Sequence, residues 1–453
     1  MRNGFLGVII LTACASHNGR AVSLYEAGDY AGAARAADEG LQQHPGDDGL
    51  WQMRIRAALA LGDADGVTRV YGDYKRHRDG DDRELLRDLA IATLGQALAS
   101  PSAKLKMVAI DAVAAAELQP LADQVGERMG DDDDRVAASA AIAVLHGFPQ
   151  APQVANQMLH SENAEARRIA VDGVGKKVGA LAAVDLVKAV GDSDPRVRRA
   201  AVRWVGQLKI KDAADELARH LRSDPDEAVR AAAATSLARL GAGDLAAHAK
   251  QALGDRALAV RLAAIDLVLA SKQTQLLAGL AEDPDPLIAA EAAIAMRRND
   301  LAAKALARAA ASETWTTRAG AANIATRALG ESEGTAFAKK LLADKELAVR
   351  LSAARALAHG GDRSAAVQVF AEALAGESGV SAAADLADLG DTRGLEALAT
   401  AVRDMKRAPD QRAQAASAHR TAHHVTPGLV GALADPNGVV RVEAASAIAL
   451  LSR

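Results

Sequence analysis

From about residue 100 to the C-terminus, apolar residues fall at i, i+4 and i+8 in short runs, and the runs themselves return about every 31 residues. The clearest sets are Val197/Ala201/Val205/Leu208, Val229/Ala233/Leu237/Leu240, Val260/Ala264/Val268, Val349/Ala353/Leu357 and Val440/Ala444/Ile448/Leu451. Each set lies on one stripe of a helix. A polar phrase opens each run: Asp194-Pro195-Arg196-Val197-Arg198 returns as Asp226-Glu227-Ala228-Val229-Arg230, then around Val260-Arg261, Val349-Arg350 and Val440-Arg441. The phrase predicts a helix start, because aspartate accepts from orphan N-terminal amides and proline is tolerated in the first turn. An acid four residues before the arginine, as in Asp194/Arg198, Asp226/Arg230 and Glu346/Arg350, is expected to pair with it inside a unit or with the next unit.

Aligned on the arginine, about twelve units are anchored near Lys106, Ala137, Arg167, Arg198, Arg230, Arg261, Ala289, Arg318, Arg350, Ser381, Arg412 and Arg441. One apolar stripe per unit is the buried face of the second helix of a pair. Stacked pairs bury a continuous core and can continue past the length at which a single globular core stops growing. The predicted class is therefore all-α, an α-solenoid. The phrase weakens around Ala289, Ser381 and Arg412, and irregular units are where curvature changes or partners dock.

A different spacing precedes this array. Gly28-Asp29-Tyr30, Ala33 and Pro45 are followed by Trp51, Gly62-Asp63 and Tyr71, with Gly28 and Gly62 about 34 residues apart. Each copy reads as two helices with Gly-Asp at the turn. Asp79 to Glu84 is a polar break, Leu85 to Leu98 a helix, and Ser100-Pro101-Ser102 a boundary. The expected partition is 1–13 signal segment, 14–80 short repeats, 81–100 linking helix and 101–453 long array.

Composition sharpens the class. Half of the 453 residues are hydrophobic but only 2% are aromatic, so the apolar content is mostly Ala, Leu and Val, suited to closely packed helices. The formal net charge is −4 with the signs interspersed, which provides no basic field for polyphosphate and excludes nucleic acid as a partner. The one cysteine, Cys14, ends a segment with a cationic start at Arg2, an apolar run from Gly4 to Leu11 and small residues before the cysteine. That run is far shorter than the roughly 20 residues a spanning helix needs.

Three resemblances follow from these residues. Leu11-Thr12-Ala13-Cys14 resembles the lipobox of bacterial lipoproteins, which implies removal of residues 1–13, lipid on Cys14 and export; Ala15 after the cysteine leans toward the outer membrane. Residues 17 to 80 resemble two tetratricopeptide repeats, which implies binding of peptides or proteins. Residues 101 to 453 resemble HEAT repeats of the short kind also found in phycobilisome lyase-like proteins, which implies protein interaction first. Together they imply a membrane-tethered, non-enzymatic scaffold with a protein partner and no cofactor, its second helices lining a mainly polar surface. The alternative is a lyase-like or accessory protein that holds a small cofactor in the solenoid groove.

Candidate chemistry is sparse. None of the 11 histidines is followed by glutamate, as a HEAT-type di-iron site requires, and there is no Walker loop or G-x-G-x-x-G. His419, His423 and His424 include an i, i+4 pair, read as solvated or capping rather than metal-ligating because a third convergent ligand is wanting. Asp131 to Asp134 lacks the alternating spacing of a calcium loop and reads as a helix cap. The candidate interaction surface comprises Trp315 near a helix start, Trp204 beside a buried stripe, and the exposed-face positions Arg203 and Arg355. The exposed aromatic is the strongest of these as an interface anchor.

Overall fold

The computed structural model describes residues 17–359 and 362–453, and Cys14 with its flanking segment lies outside the described residues. Every regular element among them is a helix, as expected of an α-solenoid. The chain divides into two compact units, one of residues 1–94 with 398–453 and one of residues 95–397.

In the first unit, helices His17–Glu26, Tyr30–Gln43, Asp48–Ala60 and Ala64–Arg78 form two hairpins. Asp29 and Asp63 cap the second helix of each, accepting from the amides of Gly32 and Gly66. Gly28 and Gly62 precede them at φ +81° and +70°, where a side chain is strained. Trp51 packs near Tyr74 and His77, and its Nε1 donates to the Pro45 carbonyl, so it serves packing. The polar break at 79–84 has a structural use. Asp82 is buried, accepts from Tyr74 and Gln52, and caps helix Arg83–Leu98 through the Leu85 amide. Burial and the Asp82 hydrogen bond push the Tyr74 phenol up to about 12.

Helix Ala64–Arg78 also meets the C-terminal part of this unit, packing against helix Pro427–Gly431. The Lys75 ammonium donates to the Val425 carbonyl at 2.9 Å, and Arg403 pairs with Asp65. The Thr68 hydroxyl donates to the Ala64 carbonyl and faces Gly431. A Cβ on Gly431 would sit 2.0 Å from the Thr68 Oγ1 and 2.8 Å from the Ala64 carbonyl oxygen, so glycine is what lets these backbones approach.

In the second unit, each second helix packs on the next through the stripe read from sequence. Val197, Ala201 and Val205 are buried, as are Val229, Ala233, Leu237, Leu240, Val260, Ala264 and Val268. The phrase residues cap as expected. Asp194 accepts from the Arg196 amide, and Asp226 from the amides of Ala228 and Val229. No helix among the described residues is long and apolar enough to cross a membrane.

Candidate functional site

The arginines of the phrase do not pair with the acid four residues before them. Most reach forward instead, to an aspartate six residues before the next anchor position, whereas Arg350, among the described residues, bonds only to the Asp344 and Lys345 carbonyls of its own turn. Arg167 binds Asp192 at 2.7 and 2.8 Å, Arg198 binds Asp224 at 2.9 Å through both Nε and an Nη, and Arg230 binds Asp255 at 2.8 and 3.0 Å. Arg261–Asp283, Arg318–Asp344 and Lys106–Asp131 continue the series in this unit, and Arg412–Asp435 repeats it in the first. The other Nη of Arg198 donates to the carbonyls of Asp192 and Ser193, at the entry of its own helix. One guanidinium therefore closes its own turn and grips the next repeat, while the gripped carboxylate also accepts a backbone amide, as Asp224 does from Asp226. Bidentate arginine suits this geometry as lysine does not.

Most of these pairs are removed from water, with side chains 11% and 2% exposed at Arg198–Asp224 and 4% each at Arg412–Asp435. The Arg230 guanidinium holds the Asp255 carboxyl below the usual carboxylate range. At Asp224 burial pushes upward, and the Arg198 guanidinium, the Asp226 amide and the His220 ring more than offset it. The Arg412 unit, which looks weak in sequence, holds the most enclosed pair of the series.

At two gaps before Arg350 the donor and acceptor vanish together, and the series stops at Arg350, whose acceptor position in the next repeat is Ala375. Where the arginine is Ala137, the next acceptor position is Ser161; where it is Ala289, the next is Ser312. A lone buried charge is avoided on both sides. At the second gap a substitute comes from the following helix, because an Arg308 Nη donates at 2.9 Å to the carbonyls of Asp283 and Pro284, the pair that an arginine at 289 would have taken.

The same place is irregular in three further ways. Helix Pro286–Ala295 has 10 residues, against 14 in Leu258–Ser271 before it and 15 in Trp315–Leu329 after it. It packs more sparsely on both neighbours than the second helices from Ala164–Lys177 to Leu258–Ser271 pack on one another. The apolar core divides there, one cluster running from Ala141 to Ala292 and another from Ala289 to Ala328. Between the two longer helices lies a notch of about 550 Å³, lined by Leu262, Ile265, Leu269, Leu287, Ile294 and Ile324. Leu269 is 45% exposed. Leu287 lies over Gly320, where a Cβ would come within 2.6 Å of its Cδ1. Glu291 and Arg327 pair across the notch, whereas Asp266, among the described residues, accepts only the Thr235 hydroxyl, at 3.2 Å.

Of the surface residues proposed from sequence, Trp315 is 47% exposed at the start of helix Trp315–Leu329, one of those flanking the notch. Arg203 is exposed. Trp204 is half-buried; its ring covers Gly175, and its Nε1 donates to Asp172 at 2.9 Å. Arg355 is engaged within the chain, bound to Asp385 and Ser381. The histidines need one correction. His419 is neither solvated nor a cap; it is fully buried, with Nδ1 2.8 Å from the Ala415 carbonyl and Nε2 2.8 Å from the Thr426 hydroxyl, and burial pushes its ring down to about 4. His423 ends helix Pro409–Ala422 in the left-handed region at φ +54°. Asp133 caps helix Asp134–Ala143, and Asp131 pairs with Lys106. Among the described residues no group of three or more His, Cys, Asp or Glu is placed to hold a metal ion. The notch escaped the sequence reading, although its signal was present in the missing arginine at 289 and the aliphatic run Leu287-Ile288.

The family model described as HEAT repeats matches residues 151–238 and, overlapping, 183–270. No curated protein matches the chain in sequence. Among solved structures, the complex of CpcE and CpcF of phycocyanin lyase from Nostoc sp. is 21% identical over 50% of this chain and 96% of that one, with a TM-score of 0.34. The UNC-45 chaperone is 14% identical over 94% of this chain and 67% of that one, at 0.33, and an Escherichia coli protein, YibA, is 19% identical over 60% and 92%, at 0.28. The chain is an all-helical solenoid that carries HEAT repeats across residues 151–270.

Proposed function

We propose that this chain is a non-enzymatic scaffold that binds a partner protein on its second-helix layer, and that it is displayed from a membrane by lipid on Cys14. The observation that carries the binding reading is the notch over helix Pro286–Ala295, an apolar surface lined by Leu262, Ile265, Leu269 and Leu287 and open enough to leave Leu269 45% exposed. Exposed apolar surface of this kind marks interaction sites. The ladder supports it, since a rigid register keeps the outward side chains of successive repeats in fixed relation. The hairpins of residues 17–80 are read as tetratricopeptide repeats and the tether as an outer-membrane one, on the lipobox-like residues Leu11 to Cys14.

Crosslinking in native membranes tests the scaffold reading, with a defined stoichiometric partner as the expected product and its absence as the refutation. The tether is tested by Cys14→Ala, which is expected to abolish acyl labelling and release the protein from the membrane fraction. Unchanged labelling would remove that part of the proposal.

A further inference from the structure

The notch has a shape, an apolar lining and an unmatched charge, and together they specify an occupant. Helix Pro286–Ala295 is four residues shorter than Leu258–Ser271, so at 1.5 Å per residue the layer lacks about 6 Å of helix between the last turns of its neighbours. The vacancy is one helical turn in a layer of helices, and ridges on the flanking helices favour another helix over an extended strand. Along Leu258–Ser271 the exposed and half-buried Leu258, Leu262, Ile265 and Leu269 follow the i, i+4, i+7, i+11 positions of one stripe, about 16 Å long. That length matches three turns of an amphipathic helix. Within the notch Glu291 is neutralised by Arg327, but Asp266 is exposed and, among the described residues, meets no cation.

We infer that the notch docks an amphipathic helix of about three turns from the partner, its aliphatic stripe on the lining residues and a lysine or arginine beside Asp266. The inference rests on the scaffold reading and gives the partner a chemistry. Helix-in-groove recognition of this kind takes its affinity from a few aliphatic anchors and its register from the charge.

The test is selection of random 14-residue displayed peptides against the full chain, followed by titration of the enriched peptides monitored by fluorescence anisotropy. Enriched sequences are expected to carry aliphatic residues at i, i+3 or i+4, and i+7 with one basic residue at a fixed offset. Leu269→Glu, an exposed position whose folding is checked by circular dichroism, is expected to weaken binding at least about tenfold. Asp266→Asn is expected to weaken it about two- to fivefold and to abolish the preference for the basic residue. Leu181→Glu, at an exposed leucine elsewhere in the same unit, is expected to change nothing. Failure to enrich any peptide, enrichment without this pattern, or binding indifferent to Leu269→Glu would overturn the inference. The two readings fail separately: a native partner whose crosslinking survives Leu269→Glu leaves the scaffold standing and removes the notch, whereas peptide binding with no native partner does the reverse.

Discussion

Removing one member of a ladder pair should cost far more than removing both. Arg230 and Asp255 are the cleanest pair for the experiment, since their side chains are 8% and 14% exposed and Asp255 has no second cation at ion-pair distance among the described residues. Arg230→Ala leaves a shielded carboxylate and Asp255→Ser a shielded guanidinium; each is expected to cost about 3–5 kcal/mol. The double variant copies the Ala137/Ser161 and Ala289/Ser312 combinations that the chain already contains. It loses the charge-assisted bonds from Arg230 to the Asp224 and Pro225 carbonyls but strands no charge, for an expected cost of about 2–3 kcal/mol. The two single costs sum to about 6–10 kcal/mol, so the coupling should be at least about 3 kcal/mol. Because a repeat array need not unfold in one step, the assay is native-state hydrogen exchange of amides in helix Glu227–Leu240, not a single global midpoint. Additivity of the three values within about 0.5 kcal/mol would refute the argument that the gaps are matched to avoid lone buried charges.

Other outcomes are as specific. Gly431→Val forces a side chain into Thr68 and the Ala64 carbonyl and should destabilise the first unit by about 1–3 kcal/mol; Thr68→Ala should restore only part of that in urea unfolding, because the carbonyl clash remains. Gly175→Ala places a Cβ within 2.4 Å of the Trp204 ring, and is expected to shift Trp204 emission to the red and cost about 1–3 kcal/mol. His419 is held down to about 4 from an ordinary value near 6.5, so its contribution is complete above pH 6.5 and is lost as pH falls toward 4, amounting to about 3 kcal/mol. His419→Gln should flatten the melting temperature across that window. The ladder carboxylates Asp192, Asp224, Asp255 and Asp344, with folded-state values depressed, yield only below the ordinary carboxylate range and so stay out of it.

The period, the stripe and the capping aspartates were legible because each is a local consequence of helix geometry. The ladder was half legible. Asp194 and Asp226 looked like partners for Arg198 and Arg230, but they spend their carboxylates on amides in the first turn, and the pairing falls to Asp224 and Asp255 of the following repeats. Which aspartate reaches which arginine depends on the stacking of neighbouring repeats. The paired losses at Ala137/Ser161 and Ala289/Ser312 did carry that information. His419 was misread because its burial comes from Thr426 and the helices around it, and spacing alone placed it beside the exposed His423. The approach of Thr68 to Gly431 joins residues more than 350 positions apart, and no periodicity encodes it.

The matched gaps also give the array a rule of succession. Between Lys106 and Asp344 a repeat with the cation is followed by one that opens on aspartate, and a repeat without it by one that opens on serine. Excising residues 224–254 would leave Arg198 facing Asp255, a legitimate join. Excising 283–311 would set Arg261 against Ser312, whereas taking out 283–343 would set it against Asp344 and restore the match. Lengthening or shortening of this chain by whole repeats is thus constrained as a sentence is by agreement: the units around Ala289 and Arg318 can leave together, but the first cannot leave alone without stranding a charge.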